Sequence, residues 1–408
     1  MRLKKQNYRI IQRSSNSSSD SMANNFIDKV ILSPLLRMVK DSRSVGIILF
    51  SCSLLSIIIA NSAIGKSYAT FWEQAFHFSS YIHLPHSLLH WINDALMAAF
   101  FFLVGMEIKR ELLTGELASF QKSILPLFAA VGGMITPALL FLLFNAGGNY
   151  QQGWGIPMAT DIAFSLGIAS MLGKRVPVSL KIFLMALAII DDLGAILVIA
   201  LFYGGAIQWV YLLVGIAITA LLLLLSYFKI KFSWWNYLLG MLLWYCIFNS
   251  GIHATIAGVL FAFTIPLQAL EKTEHRFQIP VNFIILPVFA LANTAIFMPT
   301  DFTGALQTSL NYGIVTGLLI GKPLGIVLAC LLLVKLKWGV LPEGVNWKQL
   351  IGVGILAGIG FTMSIFISLL AFNETGTQDI AKVSVLITSV LAAAIGYGWL
   401  YISNSKVS

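Results

Sequence analysis

The stretch LAIIDDLGAILVIALFYGG, residues 187–205, is almost entirely apolar, yet it carries two adjacent carboxylates, Asp191 and Asp192. About 20 apolar residues are the length of a helix that crosses a hydrocarbon core of roughly 30 Å. A charged side chain at the centre of such a helix costs about 2.5–3.5 kcal/mol on insertion scales and is a functional candidate by default. The stretch therefore predicts a membrane-spanning helix with a functional site near its middle.

The composition extends this expectation to the whole chain. Of 408 residues, 58% are hydrophobic and only 11% are charged, which lies far outside the range of soluble globular domains. We therefore predict an all-α polytopic membrane protein with twelve transmembrane helices. Their predicted spans are 45–62, 89–106, 124–145, 154–173, 181–203, 208–227, 235–250, 251–267, 282–298, 312–334, 351–371 and 382–402.

The positions of Lys and Arg agree with this number of crossings. All but three of the 26 lie in tails or loops on one side of the membrane, as the positive-inside rule requires of the cytoplasmic side. We expect both termini to be cytoplasmic, with a disordered tail at 1–30, one transporter domain at 31–402 and a second tail at 403–408. The formal net charge of +9 reflects this topology and attraction to anionic membrane lipid, and gives no reason to expect a nucleic-acid partner.

Four ionisable residues lie near the midplane of three predicted spans. Asp161 is on the fourth span, Asp191 and Asp192 are on the fifth, and Lys322 is on the tenth. These residues could be structural ion pairs that hold the helices together. However, three carboxylates outnumber one ammonium group, and an unmatched charge is costly in a low-dielectric interior. Protons or a small cation are the available means of neutralising the site.

The two adjacent aspartates cannot both face one direction, because neighbouring residues on an α-helix project about 100° apart. One of them can line a cavity while the other faces a neighbouring helix, where Lys322 is a plausible partner. Two carboxylates this close also resist joint ionisation, so their protons leave in coupled steps. We expect such a pair to bind protons that a metal cation can displace.

Two spans carry residues that interrupt helices. The fourth contains GWGIPMATDIAFSLGIAS at 153–170, where Pro157 lacks an amide donor and obstructs the helix before it. The eleventh contains GVGILAGIGFTMSIFIS at 352–368, with four glycines ahead of Thr362. Glycines in membrane helices also serve close packing alone, which is the alternative for the eleventh span. A pair of interrupted spans in opposite halves of a chain points to an inverted-repeat transporter with its ion site at the interruptions.

Several motifs resemble one known family. They are ATDIAFSLG at 159–167, LAIIDDLGAILVIALFYGG at 187–205, GIHATIAGVL at 251–260, LPVFALANTAI at 286–296, GKPLGI at 321–326 and GIGFTMSIFI at 358–367. Over about residues 30–402 the chain resembles the NhaA family of bacterial sodium/proton antiporters. NhaA is itself a type example of broken-helix transporters, so the interruptions and the resemblance are not independent observations.

The resemblance implies a particular architecture. It implies twelve helices with inverted repeats of spans three to five and ten to twelve, in which spans four and eleven are discontinuous and cross. It also implies a small external β-hairpin in the loop after the first span, through which residues 61–88 of two copies form a homodimer. The implied location is the inner membrane of a bacterium.

The resemblance also implies roles for the midplane residues. Asp192 would be the principal Na+ or Li+ ligand, and Asp191 the second carboxylate of this metal-ion site, which exchanges protons together with Lys322. Thr160 and Asp161 would flank the ion. Exchange in the family is electrogenic and is activated at alkaline pH.

A group of charged residues matches positions that control the pH response in the family. They are Glu107, Lys109, Arg110, Glu111, Glu274 and His275, with His253 also implicated. Charged groups at the mouth of a loop are as often simple topology signals, which is the alternative for this group. The chain departs from the family at Gln278, where the family has a second histidine.

The resulting hypothesis is a secondary active transporter and not an enzyme. One carboxylate site faces one side of the membrane at a time and binds either Na+ or protons, so competition couples the two flows without any cofactor. A sodium-coupled symporter or a channel is the first alternative, but the site offers little to recognise an organic substrate. An intramembrane aspartyl protease using Asp161 and Asp191 is the second. It is disfavoured because the Gly-x-Gly-Asp motif of such proteases is missing and Lys322 would disturb a shared proton.

Overall fold

Long apolar helices dominate the computed structural model, which describes residues 42–76, 83–298 and 302–403. The predicted tail at 1–30 and residues 404–408 lie outside the described residues. The helices are α1 (Ser42–Ala60), α2 (Gly65–Glu73), α3 (Leu88–Leu113), α4 (Phe120–Asn145), α5 (Ile162–Met171), α6 (Val178–Phe202), α7 (Trp209–Tyr227), α8 (Trp234–Phe248), α9 (Ile256–Thr264), α10 (Leu267–Asn293), α11 (Phe302–Leu306), α12 (Ser309–Lys335), α13 (Trp347–Ala357), α14 (Phe361–Ala371) and α15 (Thr375–Ser403). Short 3-10 helices cover Glu116–Ala118, Gln151–Met158 and Gly173–Arg175.

The described part of the chain contains seven helices long and apolar enough to cross a membrane alone, or up to nine spans if each of two bent helix pairs counts as one. The prediction of an all-α membrane protein is therefore confirmed, whereas the count of twelve stays a prediction. The structure gives fewer candidate spans than the predicted twelve because several parts of the chain form helices too short to cross a membrane alone. The nine residues of α9, for example, cover only about 14 Å of a roughly 30 Å core.

Both predicted interruptions are present. In the fourth predicted span, the 3-10 helix ends at Met158, Ala159 is extended, and α5 begins at Ile162. In the eleventh, α13 ends at Ala357 and α14 begins at Phe361, with a bend of 46° between them. We call residues 159–161 the first break and residues 358–360 the second break.

The helix α10 begins earlier than the sequence predicts. The sequence predicts a span at 282–298, but the helix starts at Leu267 and includes the polar stretch LEKTEHRFQIP. The predicted spans are runs of apolar residues, so a prediction of this kind leaves out a polar stretch even where the polar residues form a helix. Glu274 and His275 are therefore on a helix rather than in the predicted loop.

The loop after α1 contains a single antiparallel bridge, between Ala75 and Ser87. The amide of Phe76 donates to the carbonyl of His86 at 2.7 Å, so the chain returns beside itself at this point. The tip, residues 77–82, lies outside the described residues. The predicted β-hairpin and the homodimer through 61–88 stay predictions.

Glycines bring the backbones of α4 and α12 into direct contact. A Cβ atom on Gly325 would lie 2.1 Å from the carbonyl oxygen of Gly132, and one on Gly132 would lie 2.4 Å from that of Gly325. Small residues allow this approach between membrane helices. Because Lys322 is one turn before Gly325 on α12, this contact sets the position of its side chain.

Replacing Gly325 with alanine should therefore push the two helices apart. Overpacking of this kind costs about 1–3 kcal/mol, and we expect a lower melting temperature of the purified protein in detergent together with slower ion exchange. The matched control is Gly398→Ala on α15, where an added Cβ meets nothing within 4 Å. Equal melting temperatures for the two variants would contradict the role of this contact.

Candidate functional site

Asp161, in the first break, accepts hydrogen bonds from the first turns of two helices, α5 and α14. Asp161 is the N-cap of α5, and its Oδ1 accepts a hydrogen bond from the amide of Phe164 at 3.0 Å. Its Oδ2 accepts from the amide of Thr362 at 3.1 Å and from the hydroxyl of Thr362 at 2.5 Å, at the start of α14. The amide of Asp161 donates in turn to the carbonyl of Ile359 at 2.7 Å. The two breaks are thus bonded directly to each other.

Thr160 links the first break to the carboxylate pair on α6. Its hydroxyl lies 2.8 Å from Oδ2 of Asp191 and 2.8 Å from the carbonyl oxygen of Ala357, the last residue of α13. A hydroxyl carries one proton, so Thr160 satisfies one of these acceptors at a time. Thr160 therefore connects the end of one broken span to the buried carboxylates.

Asp191 forms an ion pair with Lys322, and both side chains are completely buried. The Nζ of Lys322 donates to Oδ2 of Asp191. Lys322 follows directly after a π-helical turn, Gly317–Gly321, and such turns are frequent at functional sites. Oδ1 of Asp191 has no hydrogen-bond partner among the described residues.

Asp192 points elsewhere, into a cavity of about 580 Å³. Asp161, Thr160 and Thr362 also line this cavity, whereas Asp191 and Lys322 do not. Oδ1 of Asp192 is buried without a hydrogen-bond partner in the part of the chain that the structure describes. This is the division expected from the 100° rotation between neighbours, in which one aspartate faces a cavity and the other faces Lys322.

Charged residues line the same cavity as Asp192, and together with Glu111 we call them the charged mouth. The lining members are Glu107, Arg110, Glu274 and His275. Arg110 lies 3.5 Å from Glu274 and 3.2 Å from Glu111, so that it bridges α3 and α10. Four members of the predicted pH-regulation group therefore line this cavity, and a fifth, Glu111, contacts Arg110 beside it.

The other two members lie in different surroundings. Lys109 donates to the carbonyls of Phe263 and Ile265, at 2.7 and 2.5 Å, and so satisfies the end of α9 instead of facing the cavity. His253 contacts Asp94 at 3.7 Å, near the start of α3. Asp94 and Arg110 are separated on that helix by about 24 Å at a rise of 1.5 Å per residue. The structure does not bring His253 together with the charged mouth.

Two hydroxyl side chains at the second break were not predicted to belong to the site. Thr362 holds Asp161, and the hydroxyl of Ser389 on α15 accepts from the amide of Phe361 at 3.1 Å. The position of Thr362 behind a run of glycines was visible in the sequence. Its partner lies 201 residues away, and nothing in the local pattern identifies that partner.

Known proteins match most of this chain in sequence. The sequence model of the family described as Na+/H+ antiporter 1 matches residues 36–400. The chain belongs to this family. It is 49% identical over 365 residues to the Na(+)/H(+) antiporter NhaA of Flavobacterium psychrophilum, covering 88% of this chain and 93% of that protein. It is 46% identical over 380 residues to Na(+)/H(+) antiporter NhaA 1 of Klebsiella pneumoniae, covering 90% and 96%.

Membership of the NhaA antiporters confirms several predictions from the sequence. The resemblance to NhaA is confirmed, and the antiporter is a secondary transporter of a family that exchanges sodium for protons, not an enzyme. The alternative of an aspartyl protease is thereby removed. Na+ and H+ are the ions that the family name assigns to its members.

Proposed function

We propose that the antiporter exports Na+, and also Li+, in exchange for external protons, by alternating access to the site at Asp192. The observation that carries this proposal is that the two adjacent aspartates have different surroundings. Asp192 lines the cavity and its Oδ1 has no hydrogen-bond partner among the described residues, while Asp191 is matched separately by Lys322. A carboxylate that faces water-sized space without a protein partner is suited to bind an entering cation.

Coupling follows from competition for the same negative charges. Na+ and protons both neutralise Asp192 and Asp191, and occupancy by one excludes the other. Asp192 is the principal cation ligand in this scheme, and Asp191 exchanges protons together with Lys322. Thr160 and Asp161 flank the ion where the two breaks meet. We propose that the spans containing these breaks are the discontinuous, crossing spans of an inverted-repeat fold. No nucleotide or prosthetic group enters the scheme.

The exchange is proposed to be electrogenic, with more protons entering than Na+ ions leaving. Each net positive charge that moves inward releases about 2.3 kcal/mol of free energy per 100 mV of membrane potential, negative inside. The membrane potential therefore drives Na+ export even when the pH gradient is small.

We propose that both termini and the charged mouth at Arg110 lie on the cytoplasmic side, as the positive-inside rule predicts, and that the membrane is the bacterial inner membrane. Glu107, Arg110, Glu111, Glu274 and His275 at this mouth are proposed to set the pH response. The support for this role is that four of them line the same cavity as Asp192, and that Glu111 contacts one of the four, Arg110. Lys109 and His253 would contribute indirectly, through α9 and through Asp94 respectively. We also propose that the protein contacts anionic membrane lipid. Two copies are proposed to form a homodimer through residues 61–88.

Everted membrane vesicles that contain the wild-type protein test this function. With a respiratory pH gradient reported by a quenched dye, addition of Na+ or Li+ should restore fluorescence, and addition of K+ should not. In proteoliposomes, a K+ potential set with valinomycin should change the rate of exchange, because net charge moves. An uncoupled Na+ leak would indicate a channel, and a rate independent of potential would exclude electrogenic exchange.

A further inference from the structure

Thr362 is the side chain at the site whose role neither the motifs nor the proposed function explains. It is the second residue of α14, directly after the second break, and it is 4% exposed. It nevertheless lines the same cavity as Asp192. A polar side chain in this position can contact whatever occupies the cavity.

The hydrogen bonds of Thr362 determine what it presents to the cavity. Its hydroxyl donates its single proton to Oδ2 of Asp161 at 2.5 Å, and its amide donates to the same oxygen at 3.1 Å. With that proton committed, the hydroxyl oxygen can act toward the cavity only as an acceptor. Donation to a carboxylate also polarises the hydroxyl, which makes its oxygen a stronger acceptor.

The other oxygens of the cavity leave room for such a ligand. Both oxygens of Asp161 already accept protein donors, and the hydroxyl of Thr160 donates to Asp191 or Ala357, so that its oxygen, like that of Thr362, remains an acceptor. Asp192 supplies an anionic oxygen, but a hard cation requires several oxygen ligands in its shell. A neutral, polarised hydroxyl beside the carboxylate meets this requirement.

We propose that Oγ1 of Thr362 is a ligand of the transported monovalent cation, oriented and polarised by Asp161. Asp161 is then a positioning residue, which acts on the ion through Thr362. This assignment rests on the proposed function, because it assumes that Na+ binds in the cavity at Asp192.

Four variants in everted vesicles test the assignment through the Na+ concentration for half-maximal exchange. Thr362→Val removes the oxygen, and Thr362→Cys keeps a donor toward Asp161 but offers soft sulfur, a poor ligand for a hard cation. Both should raise the half-maximal Na+ concentration by about ten- to hundredfold, with maximal rates within about threefold of the wild type. Thr362→Ser should restore the wild-type value. The matched control is Thr388→Val, which removes a buried hydroxyl that donates to the carbonyl of Ser384 on its own helix. It should leave the half-maximal Na+ concentration unchanged.

The outcomes separate this assignment from the proposed function. If the wild type exchanges Na+ and Thr362→Cys shows a wild-type half-maximal concentration, Thr362 is not a ligand and only the present inference fails. A lower maximal rate at an unchanged half-maximal concentration would likewise overturn it, because it would indicate a structural role. If the wild type itself shows no Na+-dependent exchange, the proposed function fails as well.

Discussion

Asp192→Asn is expected to abolish Na+-dependent and Li+-dependent exchange in everted vesicles, lowering the rate by about a hundredfold or more. Asparagine has nearly the size of aspartate, so the packing around this almost fully buried side chain is retained. What is lost is the negative charge that faces the cavity and its ability to take up a proton. A neutral amide supplies one weak oxygen ligand and cannot alternate between a cation and a proton.

The control for this variant is another carboxylate changed in the same way. Glu116 is half-exposed and lies 3.4 Å from Lys122, a surface pair of the kind that contributes little to stability. Glu116→Gln should therefore exchange at the wild-type rate. Comparable expression and melting temperature of the two variants would show that Asp192→Asn is folded. Exchange by Asp192→Asn at the wild-type rate would refute the assignment of the cation site.

Lys322→Gln is expected to have the largest effect on stability. The ion pair with Asp191 is completely buried, and removal of one partner leaves an uncompensated charge in the interior. Breaking a buried pair in this way typically costs about 3–5 kcal/mol. We therefore expect a strongly lowered melting temperature of the purified protein in detergent, together with loss of exchange.

The double variant Lys322→Gln with Asp191→Asn separates the two effects. Replacing both partners leaves no buried charge at this position, so most of the lost stability should return. Lys122→Gln, which breaks only the exposed pair with Glu116, should cost less than about 1 kcal/mol. A double variant as unstable as Lys322→Gln would show that the ion pair is not the source of the loss.

The main features of the site could be predicted from the sequence because the membrane permits few solutions for a buried charge. An ammonium group at the midplane needs a carboxylate, and the 100° rotation between Asp191 and Asp192 leaves one of them for Lys322 and one for a cavity. Both arrangements are present. The two breaks could also be predicted, because Pro157 and the glycines before Thr362 weaken a helix locally.

Other features depend on contacts between residues far apart in the chain. The bond between Asp161 and Thr362 spans 201 residues, and the contact of His253 with Asp94 places it apart from the other residues that the family resemblance implicates in the pH response. Hydropathy also misplaced the start of α10, because its first turns are polar. Carbonyls at the end of the short α9 are satisfied by Lys109 of α3, a contact that no window of apolar residues can reveal.

The bonds between the two breaks restrict how the site can change its access. Separating the breaks would break the hydrogen bond from the amide of Asp161 to the carbonyl of Ile359. It would also break both hydrogen bonds that Thr362 donates to Asp161. Each hydrogen bond contributes about 0.5–1.5 kcal/mol, and more where a charged group is involved. A motion in which both breaks turn together as one body keeps all three bonds. In the proposed alternating-access cycle we therefore expect the moving boundary around the joined breaks, where α3, α6 and α10 line the cavity, and not between the breaks.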